Sequence, residues 1–220
     1  MKLQNLLMPQ AGRCTQQNMY FRVNKKVHVT DCQKALTFRK HGVAWFDTYF
    51  NGLSIEKWKK YTSIGRVSVT LLLKGKFEIQ LCSKEKIHQT ISERVLSATA
   101  FDSEEVEAVT LPFLSYEEKG MYFVRLEGLE DGAQYFGGYY EADVPNTALW
   151  PVDIAINICT FRREAFVKRN LEILRKAILQ NPEHEMYQHL QVFISDNGKT
   201  LDIPALAGRQ VHIVPNKNVG

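Results

Sequence analysis

At 220 residues, with 45% hydrophobic and 24% charged side chains, the chain carries enough apolar material to bury one large or two small cores. Its formal net charge of +4 is too weak to argue for nucleic acid on charge alone. Cys14, Cys32, Cys82 and Cys159 include no C-x-x-C pair, so they read as reduced structural thiols rather than a disulfide frame or zinc site.

The N-terminal MKLQNLLMPQAG has a very short apolar run and does not read as a signal peptide. No stretch approaches the ~18 uninterrupted apolar residues that span a bilayer. A cytoplasmic protein is expected, with peripheral attachment at the inner membrane face left open.

From the start to about residue 143 the chain reads as strands. MYFRV (19–23) and KVHVT (26–30) come first, and SIEKWKK (54–60) suits one short helix with Ser54 as its cap. VSVTLLL (67–73) and KFEIQLC (76–82) flank Gly75 and predict a hairpin turning there. RVLSATA (94–100), MYFVRL (121–126) and AQYFGGYYEA (133–142) follow, with GLEDG (128–132) as a turn. Many short strands with almost no helical period predict an antiparallel sandwich over residues 1–143.

VPNTALWP (144–151) has a proline near each end and predicts a stiff linker. Beyond it the pattern changes. VDIAINIC (152–159) is a dense apolar run, as for a strand covered on both faces. Val167, Leu171, Leu174 and Ile178 then lie on one helix face, and Asn181-Pro182 ends that helix. LQVFIS (190–195) and VHIV (211–214) predict two more buried strands. The order predicts the opening of a parallel α/β sheet over 152–220.

Ligands of such sheets bind beyond the carboxyl ends of the strands. Those exits carry Thr160, Phe161, Arg162 and Arg163, then Asp196-Asn197-Gly198, then Asn216-Lys217-Asn218. An arginine at a helix start can grip phosphate oxygens, and a carboxylate can accept from a ribose hydroxyl. Singly, Thr160 also reads as a helix cap, the arginines as a solvated turn, and Asp196-Asn197-Gly198 as a plain turn. Together the three exits argue for a nucleotide diphosphate site.

ICTFRREAFVKRNLEIL, VFISDNGKTL and NKNVG resemble the opening of a family 2 glycosyltransferase domain of the GT-A type. FDTYFNGLSIEKWKKYTSIGRVSVTLLLKGKFEIQL (46–81) and YFGGYYEADVPNTALWPVDIAINICTF (135–161) are similar to the β-sandwich and junction of bacterial polymerising galactofuranosyltransferases. The resemblance implies a mainly β plus α/β chain: a β-sandwich, then the first βαβ portion of a Rossmann-like, GT-A nucleotide-sugar-binding domain. It implies transfer of a sugar such as galactofuranose, with inversion, from a UDP-sugar to a growing cell-surface glycan or lipid-linked glycan.

By the same resemblance Thr160, Phe161 and Arg163 line the uridine diphosphate pocket, Asp196 meets the uridine, and Asn218 contacts the ribose or phosphates. Arg162 is a secondary candidate. Cys159 stands where relatives often have proline. The divalent cation of the family, Mg or Mn, is held by a D-x-D motif expected beyond Gly220, as is the general base. The expectation is therefore of a chain that stops within the transferase domain and is inactive alone. A homo-oligomer is among the expected partners; nucleic acid is not.

Asp102-Ser103-Glu104 and Glu141-Ala142-Asp143 sit in the β-rich part and read as solvated charges, not D-x-D. His184 and His189 are five apart, so HEMYQH is not a zinc-protease helix. No G-x-G-x-x-G follows the 152–159 strand, which counts against a dinucleotide oxidoreductase. Lys57, Lys59 and Lys60 read as a solvated helix face. The alternative function is a non-catalytic glycan-binding or assembly sandwich with a remnant α/β tail, in which Trp45, Tyr49, Trp58, Tyr61, Tyr139 and Tyr140 form a sugar-stacking platform.

Overall fold

The computed structural model describes residues 1–12, 14–30, 35–114, 120–144 and 152–217. The chain divides into two compact units, Met1–Thr147 and Ala148–Gly220. Most of the expected linker at 144–151, and Asn218 at the third strand exit, lie outside the described residues.

The first unit is antiparallel β throughout. Its strands are β1 (Lys2–Leu6), β2 (Arg22–Val23), β3 (Val27–Thr30), β4 (Ala35–Phe38), β5 (Gly42–Trp45), β6 (Val67–Ile87), β7 (Thr90–Pro112), β8 (Met121–Gly128) and β9 (Ala133–Ala142). They are joined in the order β2-β5-β8-β6-β9-β4-β3, with β1 on β9 and β7 alongside β6. One helix, α1 (Ile55–Tyr61), follows Ser54, whose side chain makes no capping bond. Of MYFRV only Arg22 and Val23 are extended, because Gln17–Met19 close a 3-10 turn.

The expected hairpin at Gly75 does not form. β6 runs straight through it, and the turn lies at His88–Gln89, with Ile87 opposite Thr90. Gly75 instead marks where β6 changes partner: Val67–Lys74 pair with β9, and Phe77–Lys84 pair with β8. Its φ of 93° suits only glycine, and a Cβ there would meet the Ala133 backbone at 2.9 Å. The β6–β7 hairpin therefore passes from one layer of the sandwich into the other.

Period-two alternation along β6 buries Val67, Val69, Leu71, Leu73, Phe77, Ile79 and Leu81 between the layers. Tyr122, Val124 and Leu126 of β8 and Tyr135 and Tyr140 of β9 meet them there. Each such side chain contributes roughly 1.5–3 kcal/mol by leaving water.

The second unit contains β10 (Ile154–Thr160), α2 (Glu164–Leu174) running into a π-helical turn at Arg175–Leu179, β11 (Leu190–Asp196), the one-turn α3 (Ile203–Leu206) and β12 (Val211–Pro215). The strands are parallel, in the order β10-β11-β12. Val167, Leu171 and Leu179 pack on Leu190, Val192, Ile194 and Val211, with Ile156 and Ile158 at the margin.

This overturns the expected fold class. The chain is mostly antiparallel β with little helix, and the second unit is not the opening of a Rossmann-like domain. Between β11 and β12 there is only the four-residue α3, not a full crossover helix. β10, read from its apolar run as covered on both faces, exposes Ile154, Ala155, Asn157 and Cys159. An apolar run shows that a strand is sticky, not that both its faces are covered.

Candidate functional site

At the ends of the parallel strands, Thr160 lies in register with Asp196, and Asp196 with Pro215. The Asn197 backbone N–H donates to the Thr160 carbonyl at 2.9 Å, and the Asn216 N–H to the Asp196 carbonyl at 2.9 Å. The three exits thus meet on one edge. Thr160 is the last residue of β10, not a cap; Arg163 occupies the N-cap position of α2. Between them Arg162 takes a left-handed φ of 51° and stacks its guanidinium 5.2 Å from the ring centre of Phe161, itself half exposed.

Asp196 is 1% exposed. Its carboxylate accepts from the N–H groups of Gly198 (3.1 Å), Thr200 (2.8 Å) and Leu201 (2.8 Å), and so shapes its own loop. Gly198 packs so closely on Arg162 that a Cβ would lie 3.2 Å from the Arg162 backbone nitrogen. The Thr160 hydroxyl is buried and lacks a hydrogen-bond partner. The Glu164 carboxyl is held below its ordinary range, first by a hydrogen bond from Thr200 and then by its own backbone N–H. An ionised carboxylate therefore already sits at the α2 N-terminus, and any anion bound here depends on Arg162 and Arg163.

The aromatic platform expected on the sandwich does not form as one surface. Tyr140 is buried, its hydroxyl donating to the Asn51 carbonyl at 3.2 Å. Trp58 packs against the core, and Tyr139 lies under the Lys2 ammonium, 4.2 Å from its centroid. Tyr49 and Tyr61 are largely exposed.

Trp45 belongs to a different arrangement. On the face of β5, β8 and β6 turned away from the core, Arg22, Trp45, Arg125 and Gln80 stand in one row across four strands. The guanidinium carbons of Arg22 and Arg125 lie 5.4 and 5.6 Å from the indole centre. Arg125 donates to Gln80 Oε1 at 3.1 Å, and Gln80 Nε2 to Glu78 Oε1 at 2.5 Å. Glu127, beside Glu78 in the next row, is 3.0 Å from His41 Nδ1 and 3.9 Å from Arg125.

At one end of this face Asp47 receives a two-pronged bond from Arg22, at 2.9 and 2.6 Å, and pairs with Lys84, which also reaches Glu93 at 3.3 Å. Burial alone would raise the Asp47 carboxyl, but hydrogen bonds from Arg22 and Lys84 outweigh it and hold the group below its ordinary value. Sequence reasoning found Trp45 but missed Arg22, Asp47, Glu78, Gln80, Arg125 and Glu127. The available signal was polar residues alternating with core residues in KFEIQLC and YFVRLEG.

Among the described residues no group of three or more His, Cys, Asp or Glu is arranged to hold a metal ion. No described helix is long and apolar enough to cross a membrane.

No curated protein matches the chain. Among solved structures it is similar to the family 22 carbohydrate-binding and family 10 catalytic modules of Clostridium thermocellum endo-1,4-beta-D-xylanase 10B with xylohexaose. That match has 7% identity, a TM-score of 0.38, and covers 90% of this chain and 38% of that one. It is also similar to a mutant family 29 carbohydrate-binding module, at 8% identity and TM-score 0.37, over 64% of this chain and 84% of that one. A family 11 module from Clostridium thermocellum with a mixed-linked tetrasaccharide matches at 10% identity and TM-score 0.35, over 62% and 96%. Likeness this distant carries no argument about what the chain binds. The family model described as galactofuranosyltransferase 2 N-terminal, however, matches residues 3–139, from the first strand of the sandwich into the last. The chain therefore belongs to the galactofuranosyltransferase 2 N-terminal family.

Proposed function

We propose that the chain is the glycan-recognising part of a galactofuranosyltransferase, its sandwich holding the glycan to which the sugar is added. One observation carries this reading: the family match falls on residues 3–139, the sandwich itself, and the outer face of that sandwich bears a row of planar polar side chains fixed by one another. Fold alone assigns no function, but guanidinium, amide and carboxylate forks grouped around an indole are the groups that recognise hydroxyls. Calorimetric titration of the chain with a soluble galactofuranose oligosaccharide tests it. Saturable binding is expected; no heat at millimolar oligosaccharide contradicts the reading.

A second reading is supported by the buried, unpartnered Thr160 hydroxyl at the strand tips. Thr160, Arg162 and Arg163, with Phe161 alongside, contact the diphosphate of a UDP-sugar donor, and Asp196 acts by holding the loop that faces them. Asn218 belongs to the same proposal. Titration with UDP should give binding that Arg163→Ala weakens about tenfold, the worth of one charge-assisted hydrogen bond. Equal binding by parent and variant would refute it.

A further inference from the structure

This inference rests on the reading of the sandwich as a glycan module and makes it specific. We propose that the glycan lies on the face centred on Trp45, Arg125, Gln80, Glu78 and Glu127, and that this face selects a neutral sugar chain rich in vicinal diols.

Neutrality follows from how the charges are placed. Arg22 and Lys84 share Asp47, Lys84 also reaches Glu93, and Arg125 neighbours Glu127. Arg22, Lys84 and Arg125 each lie within 4 Å of a carboxylate, so they leave little field to draw in an anion. An acidic glycan would have to break these pairs to bind.

The preference for diols follows from how Trp45 is held. Guanidinium groups from both neighbouring strands lie over the indole, so a sugar stacking on it would have to compete with them. What remains facing the ligand is a set of forks: the Arg125 guanidinium, the Gln80 amide, and the carboxylates of Glu78 and Glu127. The guanidinium presents paired donors, each carboxylate paired acceptors, and the amide one of each, about as far apart as neighbouring hydroxyls of a sugar. A furanose with an exocyclic diol offers such pairs and lacks the broad C–H face that stacking needs.

An ordinary solvated sheet face does not account for this arrangement. The Asp47 side chain is only 3% exposed, and desolvating a charge is a cost that a merely solvated face does not require. The side chains bond to one another, so little rotamer freedom remains to be lost on binding. Ala98 and Ala100, opposite Gln80 and Glu78 on β7, are small and exposed, and leave that side of the row open.

The test is titration of parent, Gln80→Ala, Glu78→Gln, Tyr49→Ala and Tyr61→Ala chains with a galactofuranose oligosaccharide and, separately, an oligogalacturonate. The parent should bind the neutral chain. Gln80→Ala and Glu78→Gln should each weaken it about tenfold, while the exposed tyrosine variants bind as the parent does. Undiminished binding by both Gln80→Ala and Glu78→Gln would overturn the placement and leave the glycan reading intact. Tighter binding of the oligogalacturonate, falling steeply with salt, would overturn neutrality. Failure of the parent to bind either glycan would remove the glycan reading, and this inference with it.

Discussion

Arg125 lies directly opposite Trp45 in the β5–β8 pair, its guanidinium carbon 5.6 Å from the indole centre. Arg22, opposite Trp45 on the other side in β2, approaches to 5.4 Å. The indole thus orders both guanidiniums. Each contact of this kind is worth about 0.5–1 kcal/mol at an exposed site. Trp45→Ala should lower the stability of the sandwich by about 1–2 kcal/mol in urea unfolding, beyond a merely solvent-exposed tryptophan. A change within a few tenths of a kcal/mol would show that the row has no mutual support.

Asp47 closes the same face. Its carboxyl is held below the ordinary 3.8. A depressed folded value means that ionisation favours the native state: the contribution is complete above the unfolded value and disappears as pH falls through the folded one. Asp47→Asn should therefore lower stability by about 2 kcal/mol at pH 7. The gap should persist down to about pH 4 and close only as pH falls further, through the lowered folded value. A constant gap between the two unfolding curves across pH 2.5–7 would contradict this.

Asn51 is fully buried. It accepts from the Leu7 N–H at 2.7 Å and donates to the carbonyls of Leu7 at 2.9 Å and Tyr20 at 2.6 Å. Asn51→Ala should cost about 3 kcal/mol, because it takes the partner from the Leu7 amide and carbonyl and leaves the Tyr20 carbonyl only the Thr48 hydroxyl, 2.6 Å away. Asn51→Asp should be comparably costly, since it adds a buried charge and keeps only the accepting half of the clamp. Either variant matching parent stability would remove the clamp from the account.

The thiols should separate by environment. Burial first, and then the charge of Glu93, pushes Cys82 up to about 12, while Cys159 is exposed on β10. Iodoacetamide at pH 8 should label Cys159 readily and Cys82 only on unfolding. Mass-spectrometric detection of fast Cys82 labelling in the native protein would contradict the burial of that strand.

Among the described residues β10 pairs with β11 alone, and it exposes Ile154, Ala155 and Cys159. Its amides should exchange with deuterium faster than those of Val67–Leu81 in β6, which are flanked by strands on both sides. Equal protection would indicate that β10 is stabilised by contacts other than those described.

The sequence made some features plain and hid others for identifiable reasons. AQYFGGYYEA was legible as β9 because alternation and bounding turns agree, and Val167, Leu171 and Ile178 announced the buried stripe of the α2 region. The β6–β7 turn was hidden because it uses His88-Gln89 without a glycine, while Gly75 supplied a turn signal that is really a close backbone approach. Of the strand exits, the meeting of Thr160 with Asp196 could be anticipated from strand order. The use of Asp196 to hold its own loop could not, since a carboxylate's partners there are backbone amides that any sequence provides. The Trp45 row was illegible for a deeper reason. Its members come from four strands scattered over more than a hundred residues, and only their register brings them together.

The most direct measurement is a heteronuclear correlation spectrum of the labelled chain titrated with a galactofuranose oligosaccharide. Saturable shifts of the Trp45 indole N–H, the Gln80 side-chain amide and the Arg125 Nε–H, with the signals of Tyr49 and Tyr61 unmoved, are the predicted result. Shifts absent from all three groups, at oligosaccharide concentrations where other sandwich signals saturate or where nothing moves at all, would contradict the account.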